Sequence, residues 1–141
     1  MTIEEIQKEI VDEFSLFTDW MERYEYLIEL GKALDPFPQE KKREEHLIHG
    51  CQSRVWLFAI YENGKLFFYA DSDAIITKGI VSLLIKVFSG HTPQEIWEAN
   101  VDFIDQIGLK EHLSATRANG LVSMIKQIKM YALAHSDINK A

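Results

Sequence analysis

The apolar positions of this chain recur with different periods in successive blocks, and each block predicts an element. Ile3, Ile6, Ile10, Phe14 and Phe17 follow one another at spacings of three and four, which gathers them on one face of a helix. Thr2 and Glu5 stand where a capping box would start that helix, predicted over residues 2–15. A second pattern, Trp20, Tyr24, Leu27, Ile28 and Leu34, predicts a helix that stops before Pro36, because the residue ahead of a proline is pushed out of helical geometry. Pro36-Phe37-Pro38 is a stiff connection. Residues 39–45 are charged without an apolar period, as in a solvated loop or short helix.

From Val55 the residues become β-branched and aromatic. Strands are predicted from Val55 through Tyr61 and from Leu66 through Ala70, joined across Glu62-Asn63-Gly64-Lys65. Asn-Gly between two such runs favours a type I′ hairpin turn, and that register sets Glu62 opposite Lys65. Both faces of the hairpin are apolar, so other elements must cover it. Asp71, Ser72 and Asp73 offer N-caps for a helix over residues 74–88, with Gly90 as its stop. Ile75, Ile76, Ile80, Val81, Leu83, Leu84, Ile85, Val87 and Phe88 leave that helix almost no polar face, which predicts a central buried helix. Thr92-Pro93-Gln94-Glu95 opens a short helix that Ile96 and Trp97 are expected to dock. Ser114 begins the last helix, whose Leu121, Met124, Ile125, Ile128 and Ala132 share a face. Gly120 within it reads as a tolerated break or a point of close packing.

The 141 residues fit one domain, 1–141, with a core that needs no staple. The formal charge of -7 argues against a general nucleic-acid or anionic-membrane binder and toward a protein or small-molecule partner. No apolar run approaches the roughly 20 residues that span a bilayer. Glu4, Glu5, Lys8 and Glu9 interrupt any leader-like run, and one cysteine cannot make an internal disulfide, so a reducing cytoplasm is the expected setting.

Candidate chemistry concentrates at that cysteine. Cys51 stands at a loop-to-strand junction, with the freely turning Gly50 before it and the polar pair Gln52 and Ser53 after it. By residue type alone a lone cysteine is more often a small buried hydrophobe. At such a junction, however, modest loop motion displays or withdraws a thiol. Without a resolving partner it suits taking up one sulfur and holding it, not dithiol redox exchange. His46 and His49 with Cys51 would give three metal ligands from one short segment, lacking the second segment that a zinc site usually recruits. His91, His112 and His135 are the distant partners a Cys-His hydrolase would need, and each reads as a surface or loop histidine. Asp71 and Asp73 could form an acid-base pair, although caps account for them more simply. An Asp73 carboxylate beside Cys51 would raise the thiol pKa, whereas the Arg117 cation would favour the thiolate or bind a partner carboxylate.

Gly50-Cys51-Gln52-Ser53-Arg54-Val55-Trp56-Leu57 resembles the cysteine motif of the SufE/CsdE family of sulfur-acceptor proteins. Two later stretches resemble the same family in the same order: residues 71–79, Asp-Ser-Asp-Ala-Ile-Ile-Thr-Lys-Gly, and residues 113–121, Leu-Ser-Ala-Thr-Arg-Ala-Asn-Gly-Leu, with Met124. His46 and His49 lie outside the pattern. The resemblance implies an α+β fold of the SufE/IscU kind, a small antiparallel sheet packed against several helices. It also implies that Cys51 accepts persulfide sulfur from a cysteine desulfurase of the SufS/CsdA type, stimulates it, and passes the sulfur to an iron-sulfur assembly scaffold. On that reading the chain is a carrier and activator rather than an enzyme, and pyridoxal phosphate belongs to the partner. Gly50, Gln52, Ser53, Asp73 and Arg117 become candidates for loop positioning or partner contact. The alternative is a noncatalytic regulatory binding module in which Cys51 is incidental. The sequence leaves open whether a homodimer forms. Because persulfides are lost to solvent thiols, the loop is expected to tuck its sulfur against Val55, Leu57 and nearby helix residues.

Overall fold

The computed structural model describes residues 1–135, so residues 136–141 of the expected domain lie outside the described residues. The fold is α+β: six α-helices and one two-stranded antiparallel sheet among the described residues. Helix α1 (Ile3–Ser15) starts at the expected capping box, with Thr2 Oγ1 accepting from the Glu5 N–H and Glu5 Oε1 from the Thr2 N–H. It buries Ile3, Ile10 and Phe14. Helix α2 (Trp20–Lys32) is capped by Asp19 and ends at Ala33, ahead of Pro36.

The hairpin of β1 (Val55–Glu62) and β2 (Lys65–Ser72) has the register set by its turn. Glu62 pairs with Lys65, and Asn63 and Gly64 take φ of 52° and 78°, the left-handed values a type I′ turn demands. Single bridges extend the sheet on both edges, Leu47 beside Trp56 and His91 beside Leu66. Helix α3 (Ile75–Phe88) is the central element, packing against β2, α1, α2 and α6. Its polar inward residue Ser82 donates to the Leu30 carbonyl at 2.9 Å, which satisfies the hydroxyl inside the core. Where α2 crosses α3 there is no room for side chains: a Cβ on Gly79 would stand 2.2 Å from the Leu27 carbonyl oxygen.

The capping reading of Asp71, Ser72 and Asp73 is corrected by the structure. Asp71 and Ser72 belong to β2, and α3 starts after Ala74 with no side-chain cap. The three polar side chains are spent instead on the residues around Arg54 and on two lysines, described below. Gly90 follows the end of α3, and its N–H donates to the Leu66 carbonyl, so it joins helix to sheet edge. Ile75, expected in the core, is 68% exposed. Helix α4 (Pro93–Glu98) has its Thr92 capping box; of the two residues expected to dock it, Ile96 is buried, together with Pro93, and Trp97 stays 37% exposed. Helix α5 (Asp102–Gln106) carries no clear sequence signal, being five residues long with no side-chain cap. Helix α6 (Ala115–His135) buries Gly120, Leu121, Met124, Ile128 and Ala132 along one stripe. No helix among the described residues is long and apolar enough to cross a membrane.

Candidate functional site

The Cys51 loop is closed at its base and lightly tied at its tip. The Ile48 N–H donates to the Val55 carbonyl at 2.8 Å, and Leu47 bridges to Trp56, so the chain returns beside β1 before and after the loop. The far side of the base is Arg54, held by three contacts. Its N–H donates to Asp73 Oδ1 at 3.0 Å, its carbonyl accepts from Ser72 Oγ at 2.8 Å, and the same carbonyl accepts from the Asp73 N–H at 3.3 Å. Asp73 therefore positions the base of the loop and does not line the thiol's cavity.

Between these anchors, residues 49–53 make a single hydrogen bond among the described residues, from Cys51 Sγ to the Gly120 carbonyl at 3.6 Å. A segment so weakly tied opens at low cost while its base stays fixed. Two glycines make its seat on α6. A Cβ on Gly120 would stand 3.2 Å from Cys51 Sγ, so the bare helix surface there is what admits the sulfur. Gly50 has φ of 92°, a backbone conformation that favours glycine, and a Cβ there would meet Ser123 Oγ at 2.5 Å, a hydroxyl that would have to rotate aside.

A small cavity of about 10 Å³ lies at this seat, lined by Cys51, Gln52, Ser53, Thr77, Ile80, Thr116, Arg117, Gly120 and Met124. All three of the sequence segments singled out contribute to it. Val55 and Leu57, expected as its wall, do not; both are buried in the core on β1, and the wall comes from α3 and α6. Sequence reasoning missed Thr77, Ile80, Thr116 and Ser123. Of the two roles open to Gly120, a break or a close contact, the structure makes it a close contact.

Cys51 is half-buried, and burial pushes its thiol pKa up. Burial is the one cause of that shift; neither the Asp73 carboxylate nor the Arg117 cation contributes to it. A raised pKa means the seated sulfur prefers its protonated form. Seating is then fully favoured below the ordinary thiol pKa and is lost as pH rises through the raised one. Alkylation of Cys51 by iodoacetamide is accordingly expected to climb with pH about a midpoint above the ordinary cysteine value of about 8.5. A midpoint at or below that value would show that the thiol is not seated in solution.

The histidines take no part in this site. His46 Nδ1 lies 2.8 Å from the Lys41 carbonyl oxygen, and its ring rests near Phe58. His112 stacks on Trp20 at 3.9 Å, and His135 Nδ1 lies 3.0 Å from the Tyr131 carbonyl oxygen. His91 is a loop histidine but a buried one, its two ring nitrogens facing the Phe88 and Met1 carbonyls. Neither His46 nor His49 lines the thiol's cavity, and no three His, Cys, Asp or Glu side chains among the described residues converge on a metal-sized site.

Comparison with known proteins bears out the family resemblance read from the sequence. The model of the family described as SufE, Fe-S metabolism associated domain, matches residues 8–132. An uncharacterized SufE-like protein of Rhizobium meliloti (strain 1021) is 42% identical over 129 residues, covering 88% of this chain and 92% of that one. Another from Synechocystis sp. is 42% identical over 125 residues, covering 89% and 79%. The solution structure of a hypothetical protein from Thermus thermophilus superposes with a TM-score of 0.77 over 92% of this chain and 95% of that one; at 23% identity this likeness speaks to the fold.

Proposed function

The chain belongs to the SufE family of Fe-S metabolism associated domains, and on that footing we propose that Cys51 is the acceptor of sulfane sulfur from a cysteine desulfurase. The observation that carries the proposal is the seat itself: a lone thiol at the tip of a loop with a fixed base, half-withdrawn onto a glycine of α6 and beside a small cavity.

In the reaction, the Cys51 thiolate attacks the outer sulfur of the persulfide on the donor's cysteine. The donor's sulfur–sulfur bond breaks, its cysteine leaves as a thiolate, and a new sulfur–sulfur bond forms on Cys51. No net oxidation occurs, and one proton leaves Cys51 for each one the departing thiolate gains. Because burial disfavours the thiolate, attack requires the loop to lift, after which Cys51 regains its ordinary acidity. Reseating then returns the sulfur to its sheltered site until a second partner, an iron-sulfur assembly scaffold, draws the loop out again. Donor turnover rises because the persulfide that would block its next cycle is cleared. Pyridoxal phosphate stays with the donor, a desulfurase of the SufS/CsdA type; this chain's part needs only the thiol. The cytoplasm suits such work, since its reducing poise keeps a lone thiol unpaired.

The direct test incubates the protein with a cysteine desulfurase and free cysteine and then maps its mass. A gain of one sulfur confined to the peptide bearing Cys51, and removed by a reductant, is the expected result. Stimulated turnover with no sulfur on Cys51 would refute the transfer step.

A further inference from the structure

The charged residues near the Cys51 loop divide into those the fold uses and those it leaves free. Asp71 binds Lys42 at 2.9 Å and Lys78 at 3.3 Å. Burial pushes the Asp71 carboxyl up, but hydrogen bonds from Lys42, the Ser72 N–H and Lys78 outweigh it and hold the group below the usual carboxylate range. These two lysines are ties within the fold.

Arg54 and Arg117 are different. The backbone of Arg54 is bound by Asp73 and Ser72, and the N–H of Arg117 donates to Ser114 Oγ. Neither guanidinium has a hydrogen-bonding, ionic or aromatic partner among the described residues, and both residues are exposed. Arg117 lines the thiol's own cavity. Arg54 lines a separate open groove of about 310 Å³ together with Lys42, Arg43, Glu44, Leu47 and Trp56. There Lys42 Nζ sits 5.2 Å from the Trp56 ring, and Arg43 makes only a long 3.5 Å contact with the exposed carboxylate of Glu45 besides its bond to the Glu40 carbonyl. Of the groove's three cations, Lys42 is tied to Asp71 and Arg43 faces Glu45, which leaves the Arg54 guanidinium as the one without an acidic partner among the described residues, in a chain whose net charge is -7. Only Gln52 and Ser53 separate Arg54 from Cys51, so their Cα atoms lie within about 11 Å.

We propose that this groove, with Arg54 and Arg117, receives a carboxylate-bearing surface segment of the donor desulfurase and so aims its persulfide at Cys51. The inference rests on the sulfur-acceptor reading above. A guanidinium presents a planar fork that matches a carboxylate, and one left without an internal acceptor is available to an external one. Leu47 and Trp56 give the segment an apolar wall beside the cations. The acidic remainder of the molecule repels an acidic partner surface, which makes this face the one that orients the encounter. A phosphate backbone is a poorer match, since two unpaired guanidinium groups on a molecule of net charge -7 offer little counterion release.

The test measures stimulated desulfurase turnover against the concentration of this protein for the wild type, Arg54→Glu, and Arg43→Glu combined with Arg54→Glu. The apparent KM for this protein is expected to rise about tenfold in the double variant, with the maximal stimulated rate within about twofold of wild type. Added salt should raise the wild-type KM and lower that of the double variant, where it screens repulsion. Arg54→Lys should recover part of the loss. The thermal midpoint of Arg54→Glu should stay close to wild type, because the Arg54 guanidinium has no hydrogen-bonding, ionic or aromatic partner among the described residues. An unchanged KM in the double variant while sulfur still reaches Cys51 overturns the docking surface and leaves the acceptor reading standing. A fall in maximal rate at unchanged KM overturns it too, since the arginines would then act on the reaction. A defect confined to onward transfer to a scaffold assigns the face to the recipient and overturns it likewise. Absence of sulfur on wild-type Cys51 overturns the acceptor reading and this proposal with it.

Discussion

With Cys51→Ser, a desulfurase supplied with free cysteine is expected to run at its unassisted rate, the stimulated component falling by about 100-fold or more. A serine hydroxyl does not attack a persulfide sulfur under these conditions, and the chain has no second thiol to substitute for it. Misfolding would not explain such a loss. Cys51 makes one long hydrogen bond, at 3.6 Å, and is only half-buried, so a near-isosteric hydroxyl should change stability by less than about 1 kcal/mol. Turnover measured beside the thermal midpoint of the variant separates the two effects. Full stimulation by a folded Cys51→Ser protein would instead support the noncatalytic regulatory reading, in which binding alone alters the desulfurase.

The largest expected effect on stability lies away from the thiol, at the crossing of α2 and α3. Gly79→Ala places a methyl 2.2 Å from the Leu27 carbonyl oxygen, a backbone atom that cannot rotate aside, so the two helices must separate. Overpacking of that kind costs about 3 kcal/mol. The better helix propensity of alanine returns about 1 kcal/mol, leaving a net loss of about 2 kcal/mol. For a chain of this length that corresponds to a thermal midpoint lower by about 6 °C. A midpoint equal to or above that of wild type would mean that propensity outweighs the clash and that the two helices part easily at their crossing. The result bears on function as well, because Thr77 and Ile80 on the same helix line the cavity beside Cys51.

The hairpin shows how much a local signal can settle. Asn63-Gly64 between its β-branched and aromatic runs is enough to place the turn and the pairing of Glu62 with Lys65, because turn type and register depend on a few adjacent residues. The same holds for the Thr2 and Thr92 capping boxes and for the buried stripe of α6, whose causes all lie within a turn or two of chain. The errors fall where the decisive contact comes from elsewhere. Asp71, Ser72 and Asp73 are good caps by composition, but Arg54, Lys42 and Lys78 claim them in the folded chain, and α3 starts without a side-chain cap. Ile75 has the composition of a core residue yet occupies the exposed side of its helix.

By itself the sequence determined that one thiol stands at a loop-to-strand junction, flanked by Gly50 and by Gln52 and Ser53, in an acidic chain with no second cysteine. Its motifs also placed Asp73 and Arg117 among the residues to watch. Only the tertiary structure decided what each does in space: Asp73 ties down the base of the loop, Arg117 lines the cavity, and Gly120, 69 residues beyond Cys51, gives the sulfur its seat. The physical reason is one of range. Periodicity, turns and caps arise from forces between near neighbours in the chain, whereas burial of the thiol, and with it the rise in its pKa, exists only once α3 and α6 close around the loop.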